Sequence, residues 1–288
     1  MRIFISGAAG VVGKSLSNYL RNIGHQIIAV DIIDRDDIIC IDLRDEATVL
    51  KLIAKHSPDI ILHLASIKNL NYCENNKTQA HLTNYGVTKI LTRICKTYDI
   101  RLIFFSSDYV FGQFDYFWKE SDTPCPTTQY GRDKAKAEKL IQTTLYDFAI
   151  IRTAQIYGFS GDFVDLVYQT LTSQQTFDAY SNLINCPTWI GDIAEMLNKI
   201  ILHNKKGIFH CVGTEALSRY QFANVVVEVF SLDKSYIVAK DLDFSTDIRP
   251  PVVRLNGSRT YNELKVYPKT LKETITQYRD YITKEVKE

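Results

Sequence analysis

Three polar side chains have the types and the spacing needed to move a proton to or from a carbonyl group. Tyr130 and Lys134 are four positions apart, which places them on one face of a helix. A free phenol has a pKa of about 10, and a neighbouring ammonium group, together with an oxidised nicotinamide, favours the phenolate and lowers that pKa. A serine hydroxyl of the pair Ser106-Ser107, which follows a predicted strand, could hold the carbonyl oxygen. The three residues therefore predict acid–base chemistry on a carbonyl.

A glycine triplet near the amino terminus predicts the second half of such a site. The apolar run 2–6 predicts a buried strand, and the amphipathic stretch 11–23 predicts a helix. Glycines between them permit a tight turn, the approach of a pyrophosphate and close helix packing, while the helix N-terminus faces the phosphates. We therefore expect a dinucleotide site. Its spacing is Gly7-x-x-Gly10-x-x-Gly13.

Acidic residues after the next two strands bear on the choice of cofactor. Asp31 ends the second predicted strand, where a carboxylate would bind a free ribose 2′-hydroxyl and repel a 2′-phosphate. Arg35 is near enough to offset that repulsion, so both NAD(H) and NADP(H) are expected as cofactors. Asp42 could accept a hydrogen bond from the adenine amine, or Asp42 or Asp45 could cap the helix 46–56.

The elements that must position these residues alternate between short apolar runs and amphipathic stretches. This alternation predicts parallel βαβ units, and hence an α/β fold with a doubly wound parallel sheet of Rossmann type. Ligands of such sheets bind at the carboxyl ends of the strands. The predicted strands are 2–6, 26–30, 38–41, 59–64, 101–105, 148–153 and 207–212, and the predicted helices are 11–23, 46–56, 78–98, 130–144, 163–174, 190–203, 220–230 and 268–281.

The alternation loosens after residue 158, which predicts two domains. Residues 1–158 and 186–212 are expected to form the dinucleotide-binding domain. Residues 159–185 and 213–288 are expected to form a smaller, discontinuous substrate-binding domain. The charged end of the chain, 283–288, is predicted to fray.

Composition excludes several other classes of function. The 288 residues include 34 basic and 33 acidic side chains, a net charge of +1, so nucleic acid and anionic membrane are not expected as partners. Six cysteines lack C-x-x-C spacing, which predicts neither a zinc site nor disulfides. The six histidines also lack ligand spacing, so no metal is expected. The N-terminus is itself a strand and no apolar run could span a bilayer, so the protein is predicted to be cytoplasmic.

The chain resembles the extended short-chain dehydrogenase/reductases, and within them it is most similar to the dTDP-4-dehydrorhamnose reductases and related sugar-nucleotide reductases. The resemblance covers nearly the whole chain. The motifs that carry it are Gly7-x-x-Gly10-x-x-Gly13, Asp42-Leu43, His63-Leu64-Ala65 with Cys73-Glu74, Asn84, Ser106-Ser107-Asp108-Tyr109-Val110-Phe111-Gly112, Tyr130-Gly131-x-x-Lys134 with Glu138, Arg152-Thr153-x-x-x-Tyr157-Gly158, Pro187-Thr188 with Asp192, Gly207-Ile208-Phe209-His210 with Tyr220-x-Phe222-Ala223, and Arg249-Pro250.

The resemblance implies reduction of the C4 keto group of a nucleotide-activated 4-keto-6-deoxy sugar with NAD(P)H, as in dTDP-rhamnose biosynthesis, for surface polysaccharide or glycan synthesis. Ser107 would orient the carbonyl, Tyr130 would donate the proton, and Lys134 would hold the nicotinamide ribose and tune the tyrosine. The residues expected to bind the cofactor are Gly7, Gly10, Val11, Val12, Gly13, Asp31, Asp42, Leu43, Leu64, Ala65, Ser66, Asn84, Tyr130 and Lys134. Those expected to bind substrate are Ser107, Asp108, Tyr109, Gln155 and Arg249.

Three family motifs are altered, and two alternatives follow. Gln155 stands where the family usually has Trp, the stretch 249–255 lacks an Asn-Ser pair, and the stretch 178–185 lacks Asp-Gln-x-Gly. One alternative is an NAD-dependent sugar-nucleotide epimerase or dehydratase. The other is a non-catalytic regulatory protein of the same fold, like the regulatory subunit of methionine adenosyltransferase. The helix 78–98 could also pair in a homodimer, as in relatives.

Overall fold

The computed structural model of the protein describes residues 1–285, and the side chains of residues 1–280. The end of the chain, 283–288, was predicted to fray. Of this stretch, residues 286–288 lie outside the described residues. The strands are β1 (Arg2–Ser6), β2 (Gln26–Asp31), β3 (Ile39–Cys40), β4 (Ile60–His63), β5 (Arg101–Phe105), β6 (Phe117–Trp118), β7 (Phe148–Arg152), β8 (Ile156–Tyr157), β9 (Phe177–Tyr180), β10 (Ile184–Asn185), β11 (Thr188–Trp189), β12 (Gly207–His210), β13 (Leu217–Ser218), β14 (Ile237–Lys240) and β15 (Arg254–Leu255).

The helices are α1 (Val11–Asn22), α2 (Glu46–His56), α3 (Leu70–Asn75), α4 (Lys77–His81), α5 (Val87–Tyr98), α6 (Gln129–Thr144), α7 (Phe163–Thr172), α8 (Ile190–Leu202), α9 (Arg219–Phe230), α10 (Ser258–Leu264) and α11 (Leu271–Glu285). A π-helical segment, Leu82–Gly86, joins α4 to α5. The predicted helix 78–98 therefore contains a bulge at its centre. No helix in the described part of the chain is both long and apolar enough to cross a membrane.

The chain divides into two compact units. Unit 1 consists of residues 1–111, 123–152 and 197–209, and unit 2 of residues 112–122, 153–196 and 210–288. Unit 2 thus takes in several segments that the sequence analysis assigned to the dinucleotide-binding domain; these are 112–122, 153–158, 186–196 and 210–212. The assignment of cofactor and substrate to two separate domains remains a prediction.

Seven strands form the central sheet, in the order β12-β7-β5-β4-β1-β2-β3. The neighbouring strands from β3 across the sheet to β7 pair in parallel. The strand order reverses between β1 and β4, because β2 and β3 lie on one side of β1 and the later strands lie beyond β4. This confirms the predicted Rossmann-type α/β fold and brings the carboxyl ends of β1, β4 and β5 together at the reversal.

Apolar helix faces cover the sheet of unit 1. The helix α5 buries Val87, Leu91 and Ile94, and α6 buries Ala137 and Ile141. These side chains belong to one hydrophobic core that also contains strand residues of β1, β2, β4, β5 and β7. At about 25 cal/mol for each Å² of apolar surface, this burial stabilises the arrangement that fixes the strand ends.

Unit 2 is built from short strand pairs and helices. Its paired strands are β8 with β11, β9 with β14, β10 with β13 and β6 with β15. Helices α7, α9 and α11 share a core that includes Val164, Phe222, Val226 and Ile275. Two-residue strands cannot bury a hydrophobic face alone, so this helical core holds the unit together.

Candidate active site

The glycine loop between β1 and α1 leaves no room for a side chain at Gly7 or at Gly13. Gly7 has a φ of +76°, and a Cβ on it would lie 2.7 Å from the backbone nitrogen of Ala65. A Cβ on Gly13 would lie 2.1 Å from the carbonyl oxygen of Gly7. Helix α1 begins after Gly10, and no side chain of the described residues caps it. The first-turn N–H groups, including those of Val11 and Val12, therefore lack intrahelical acceptors, which fits the phosphates of a dinucleotide.

Asp31 fastens this loop to the end of β2. Its carboxylate accepts a hydrogen bond from Ala9 N at 3.0 Å, from Ile32 N at 2.7 Å and from Ile33 N at 3.2 Å. The side chain is buried, with 9% exposed. Asp31 thus orders the backbone of the glycine loop and of the segment after β2. Its contact with the ribose remains a prediction.

The two carboxylates after β3 have different partners. Asp45 caps α2 by accepting from Thr48 N at 3.2 Å. Asp42 instead accepts two hydrogen bonds from Arg44 Nε, at 3.0 and 2.9 Å, and this pairing lowers the pKa of the Asp42 carboxyl. The capping role therefore belongs to Asp45. Leu43 packs into the core of unit 1.

A buried histidine fixes the loop after β4. His63 Nδ1 lies 2.7 Å from Ser6 Oγ, and its Nε2 lies 3.1 Å from Thr88 Oγ1. Burial, followed by the charge of Lys134, lowers the pKa of His63 to about 3, so the ring is neutral. Ser6 Oγ also accepts from the backbone N–H of Leu64 at 3.2 Å, which holds the start of the loop against β1.

Asn84 braces the same loop from the π-helical segment. Its Oδ1 accepts from Ile67 N at 2.7 Å, and its Nδ2 donates to Ile67 O at 3.0 Å. π-Bulges are rare and often occur at functional sites. Asn84 thus holds the backbone of Ile67, the residue that follows Ala65 and Ser66 in the loop.

The predicted catalytic side chains meet at the carboxyl ends of β4 and β5. Tyr130 is buried near the start of α6, and its hydroxyl interacts with the side chains of Ser66 and Ser107. Burial, followed by the negative charge of Asp108, raises the pKa of the phenol, while the two serines act in the opposite direction. The expected lowering of this pKa involves Lys134 together with an oxidised nicotinamide, and it remains a prediction. The phenol holds its proton.

Lys134 is 2% exposed and lies beside the tyrosine. Its Nζ donates to the carbonyl oxygen of Phe105 at 2.8 Å and lies 5.8 Å from the centre of the Tyr130 ring. Burial lowers the pKa of Lys134 to about 7, against the opposing charge of Glu138. The amine therefore titrates close to neutral pH.

Close packing sets the position of α6. A Cβ on Gly131 would lie 2.0 Å from Tyr109 O, so only glycine lets the helix start approach the loop after β5. Thr128 Oγ1 caps the helix by accepting from Gly131 N at 3.0 Å. Glu74 accepts from Gln129 N at 2.5 Å, which joins α3 to the same helix start. Tyr130 is thereby held from both sides.

A buried ion pair anchors the middle of α6. Arg152 Nε donates to Glu138 Oε1 at 3.0 Å, and Arg152 Nη2 donates to Glu138 Oε2 at 2.7 Å. The two side chains are 1% and 0% exposed. Removal of one partner from such a pair costs about 3–5 kcal/mol, because the other charge stays buried. The pair ties α6 to the end of β7.

The substrate residues expected in the second part of the chain lie in unit 2. Gln155 follows β7 with a φ of +22°, and its backbone oxygen accepts from Thr188 N at 3.1 Å. Arg249 Nε donates to Asp247 Oδ1 at 2.8 Å, and its guanidinium lies 5.4 Å from the centre of the Tyr180 ring. Asp247 thus already holds the guanidinium that was expected to bind the substrate.

Comparison with known proteins identifies the family of the chain and structures that share its fold. The family described as "RmlD substrate binding domain" matches residues 1–283. The chain belongs to this family. It is 27% identical over 280 residues to the spore coat polysaccharide biosynthesis protein SpsK of Bacillus subtilis, covering 96% of each chain. It is 28% identical over 254 residues to the dTDP-4-keto-6-deoxy-D-glucose reductase of Streptomyces niveus, covering 86% of each. A solved dTDP-4-dehydrorhamnose reductase from Clostridium acetobutylicum shares the fold, with a TM-score of 0.89, 23% identity, and coverage of 98% of this chain and 100% of that one.

Sequence reasoning missed several residues that shape the site of this RmlD-family member. Lys134 donates to the carbonyl oxygen of Phe105. Every residue has a backbone carbonyl, so the sequence gives no sign of this contact. Glu74 and Glu138 appeared only as family motifs, without their contacts to α6 and β7. Asp133, buried next to Lys134, accepts from His81 Nδ1 at 2.6 Å, and neither residue was singled out.

Proposed function

We propose that the protein reduces the C4 keto group of a nucleotide-activated 4-keto-6-deoxy sugar with NAD(P)H. One observation carries this proposal: a buried, protonated Tyr130 interacts with Ser107 and Ser66 and lies beside Lys134. The set lies at the reversal of strand order, where the uncapped start of α1 also lies. A proton donor and a dinucleotide site are what a carbonyl reductase must bring together.

In the reductive direction, the phenol of Tyr130 gives its proton to the carbonyl oxygen of the substrate. Ser107 would donate a hydrogen bond to the same oxygen and orient it. The ammonium group of Lys134 stabilises the phenolate that remains. When bound, the reduced nicotinamide supplies the hydride. The raised pKa of Tyr130 favours the proton-donating form before the reaction.

The residues of the glycine loop fit either dinucleotide. Gly7 and Gly13 would lie against the pyrophosphate, and Asp31 at the end of β2 would face the adenosine ribose. Ala65 and Ser66 would border the nicotinamide half, because the loop after β4 packs directly on Gly7. The sequence-based contacts of Asp42, Leu43 and Asn84 with the cofactor remain predictions.

The named relatives support this substrate class. Two of them carry names that place them in spore coat polysaccharide synthesis and in reduction of a dTDP-4-keto-6-deoxy sugar. We propose the corresponding role here, in the cytoplasm. The sequence-based contacts of Asp108, Tyr109, Gln155 and Arg249 with the sugar remain predictions. A homodimer through the helix 78–98 remains a prediction.

The test is consumption of NADH and NADPH with 4-keto-6-deoxy sugars on several nucleotides. The Tyr130→Phe variant removes the proton donor, so we expect turnover to fall by about 10²–10⁴-fold. Tyr146→Phe is the matched control, because Tyr146 is 87% exposed, and it should leave turnover unchanged.

Other outcomes would favour the alternatives. Tightly retained NAD⁺, with interconversion of sugars and no net use of reductant, would indicate an epimerase or dehydratase. Cofactor binding without turnover, in a protein whose properties do not change in Tyr130→Phe, would indicate a regulatory protein.

A further inference from the structure

A second serine lies at the phenol of Tyr130. The hydroxyls of Ser66, in the loop after β4, and of Ser107, after β5, both form side-chain hydrogen bonds with this phenol. Ile67, the neighbour of Ser66, packs against the small apolar core that contains Tyr130. Ser66 was expected from the sequence only at the cofactor, so its contact with the phenol is new.

The hydroxyl proton of Ser107 is already used in the free protein. Ser107 Oγ donates to Asp108 Oδ1 at 2.8 Å and accepts from Tyr109 N at 3.2 Å. A serine hydroxyl has one proton and two lone pairs, whereas a carboxylate only accepts. Ser107 therefore has one lone pair left for Tyr130, and the phenol must be the donor of the hydrogen bond between them.

The same count makes Ser66 a donor. The phenol of Tyr130 has one proton, and that proton is given to Ser107. The hydrogen bond between Tyr130 and Ser66 therefore requires the proton of Ser66. The three hydroxyls form a chain of donors that runs from Ser66 through Tyr130 to Ser107 and ends on the carboxylate of Asp108.

Backbone contacts fix the loop on both sides of Ser66. Ala65 N donates to Ser6 Oγ at 3.3 Å, and Ile67 N donates to Asn84 Oδ1 at 2.7 Å. A hydrogen-bond donor that is fixed before the reaction needs no reorganisation when negative charge develops on its acceptor. When the phenol loses its proton, that acceptor is a phenolate, and the hydrogen bond becomes charge-assisted and stronger.

We propose that Ser66 is a further catalytic residue, whose hydroxyl donates to the phenol oxygen of Tyr130 and stabilises the phenolate left when the substrate carbonyl takes the proton. The O–H bond of Tyr130 breaks, an O–H bond forms on the substrate oxygen, and Ser66 keeps its own proton. Because a hydroxyl rotates, Ser107 can turn its proton from Asp108 to a bound substrate. This inference rests on the proposed function, since the phenolate forms only when a carbonyl is reduced.

The first measurement compares reduction of a 4-keto-6-deoxy sugar by the wild type, Ser66→Ala and Ser66→Thr. Ser66→Ala loses a hydrogen bond to a charged oxygen, so kcat should fall by about 10- to 100-fold. Ser66→Thr keeps the hydroxyl and should restore most of that loss. The affinity for NAD(P)H, measured by calorimetry without sugar, should not change in either variant. Ser258→Ala, an exposed serine of α10, is the control and should keep wild-type turnover.

The second measurement repeats Ser66→Ala in the Tyr130→Phe background. That background has no phenol oxygen, so removal of the serine hydroxyl should change the residual turnover by less than about twofold. A serine that acted on the cofactor or on the fold alone would lower turnover equally in both backgrounds. Urea denaturation of the same four proteins tests the contact without substrate: the double variant should lose less stability than the sum of the two single losses.

Three results would overturn the inference. Ser66→Ala could turn over like the wild type, it could lower turnover equally with and without the phenol, or its effect on stability could add fully to that of Tyr130→Phe. Failure of the reductase proposal has a different signature, because the wild type itself would then consume no NAD(P)H with any keto sugar. That result would overturn the catalytic role of Ser66 together with the proposed function.

Discussion

Lys134 carries a charge that its surroundings disfavour. The side chain is 2% exposed, and burial lowers the pKa of the amine to about 7. Its Nζ donates to Phe105 O at 2.8 Å and lies 4.6 Å from the centre of the Phe104 ring. A carbonyl dipole and an aromatic face both attract a cation, but neither replaces full hydration. The charge beside Tyr130 is thus sensitive to pH in the range where a cell works.

This sensitivity predicts the pH profile of reduction. Above a pH of about 7 the free protein loses the ammonium charge, so kcat/KM should fall by up to about tenfold per pH unit. Lys134→Met should give a low and nearly flat profile over the same range. Lys136→Met is the control, because Lys136 lies over the Tyr85 ring at 4.4 Å, and it should keep the wild-type profile. A falling limb that persists in Lys134→Met would contradict this assignment.

At the scale of elements, the contact between α6 and the loop after β5 requires a glycine, without a Cβ, at position 131. An Ala at position 131 would place Cβ 2.0 Å from Tyr109 O, which is backbone and cannot rotate away. The Gly131→Ala variant should therefore move the start of α6 and the tyrosine next to it. We expect a loss of stability of about 1–3 kcal/mol, measured by urea denaturation, and a fall in kcat.

Gly86→Ala is the matched control for that substitution. Gly86 is also helical, with φ −61° and ψ −46°, but a Cβ there would lie 3.8 Å from its nearest neighbour, His81 O. Alanine has the better helix propensity, so this variant should be stabilised by about 0.5–1 kcal/mol. Equal effects at the two positions would show that close approach does not constrain α6.

The sequence predicts the long elements because their hydrophobic periodicity is strong. The helix 46–56 and the strand 101–105 agree with α2 and β5 to the residue. The short helices α3 and α10 were missed, and so was the π-helical segment within 78–98. One or two turns present too few residues for a period, and a bulge keeps the composition of a helix. The two-residue strands of unit 2 were missed for the same reason.

Within the site, the sequence could indicate side chains but not their partners. The spacing of Tyr130 and Lys134 predicts a shared helix face, and the two lie beside each other. It could not predict that Asp108 and burial together raise the pKa of Tyr130, because that depends on which groups the tertiary fold brings near. The same holds for Arg249, whose partner Asp247 is close in sequence but gives no periodic signal.

At the scale of the whole molecule, each compact unit has its own hydrophobic core. Each also contains an ionisable side chain whose charged form is disfavoured by burial. Unit 1 buries Lys134 and unit 2 buries Asp192, which is 6% exposed. Burial raises the pKa of Asp192 to about 7; Lys269 opposes the shift and Glu195 adds to it. Both groups therefore titrate near neutral pH in the folded state and far from it in the unfolded chain.

The two groups change stability with pH in opposite directions. Between pH values of about 4 and 7, folded Asp192 binds more protons than the unfolded side chain, so the free energy of unfolding falls as pH rises. Between about 7 and 10, unfolded Lys134 binds more protons than the folded side chain, so the free energy of unfolding rises with pH. Each slope is limited to about 1.4 kcal/mol per pH unit. Together they give a minimum near neutral pH.

Urea denaturation of the protein without ligand, at pH values of about 5, 7 and 9, would measure this minimum. Asp192→Asn should remove the fall below neutral pH, since an amide can still accept the backbone hydrogen bond from Lys269. Lys134→Met should remove the rise above neutral pH. The double variant should show the sum of both effects, because the two residues lie in different units and different charged groups act on them, Glu138 on Lys134 and Lys269 with Glu195 on Asp192. A wild type whose stability peaks at neutral pH after correction against the double variant would contradict both assignments.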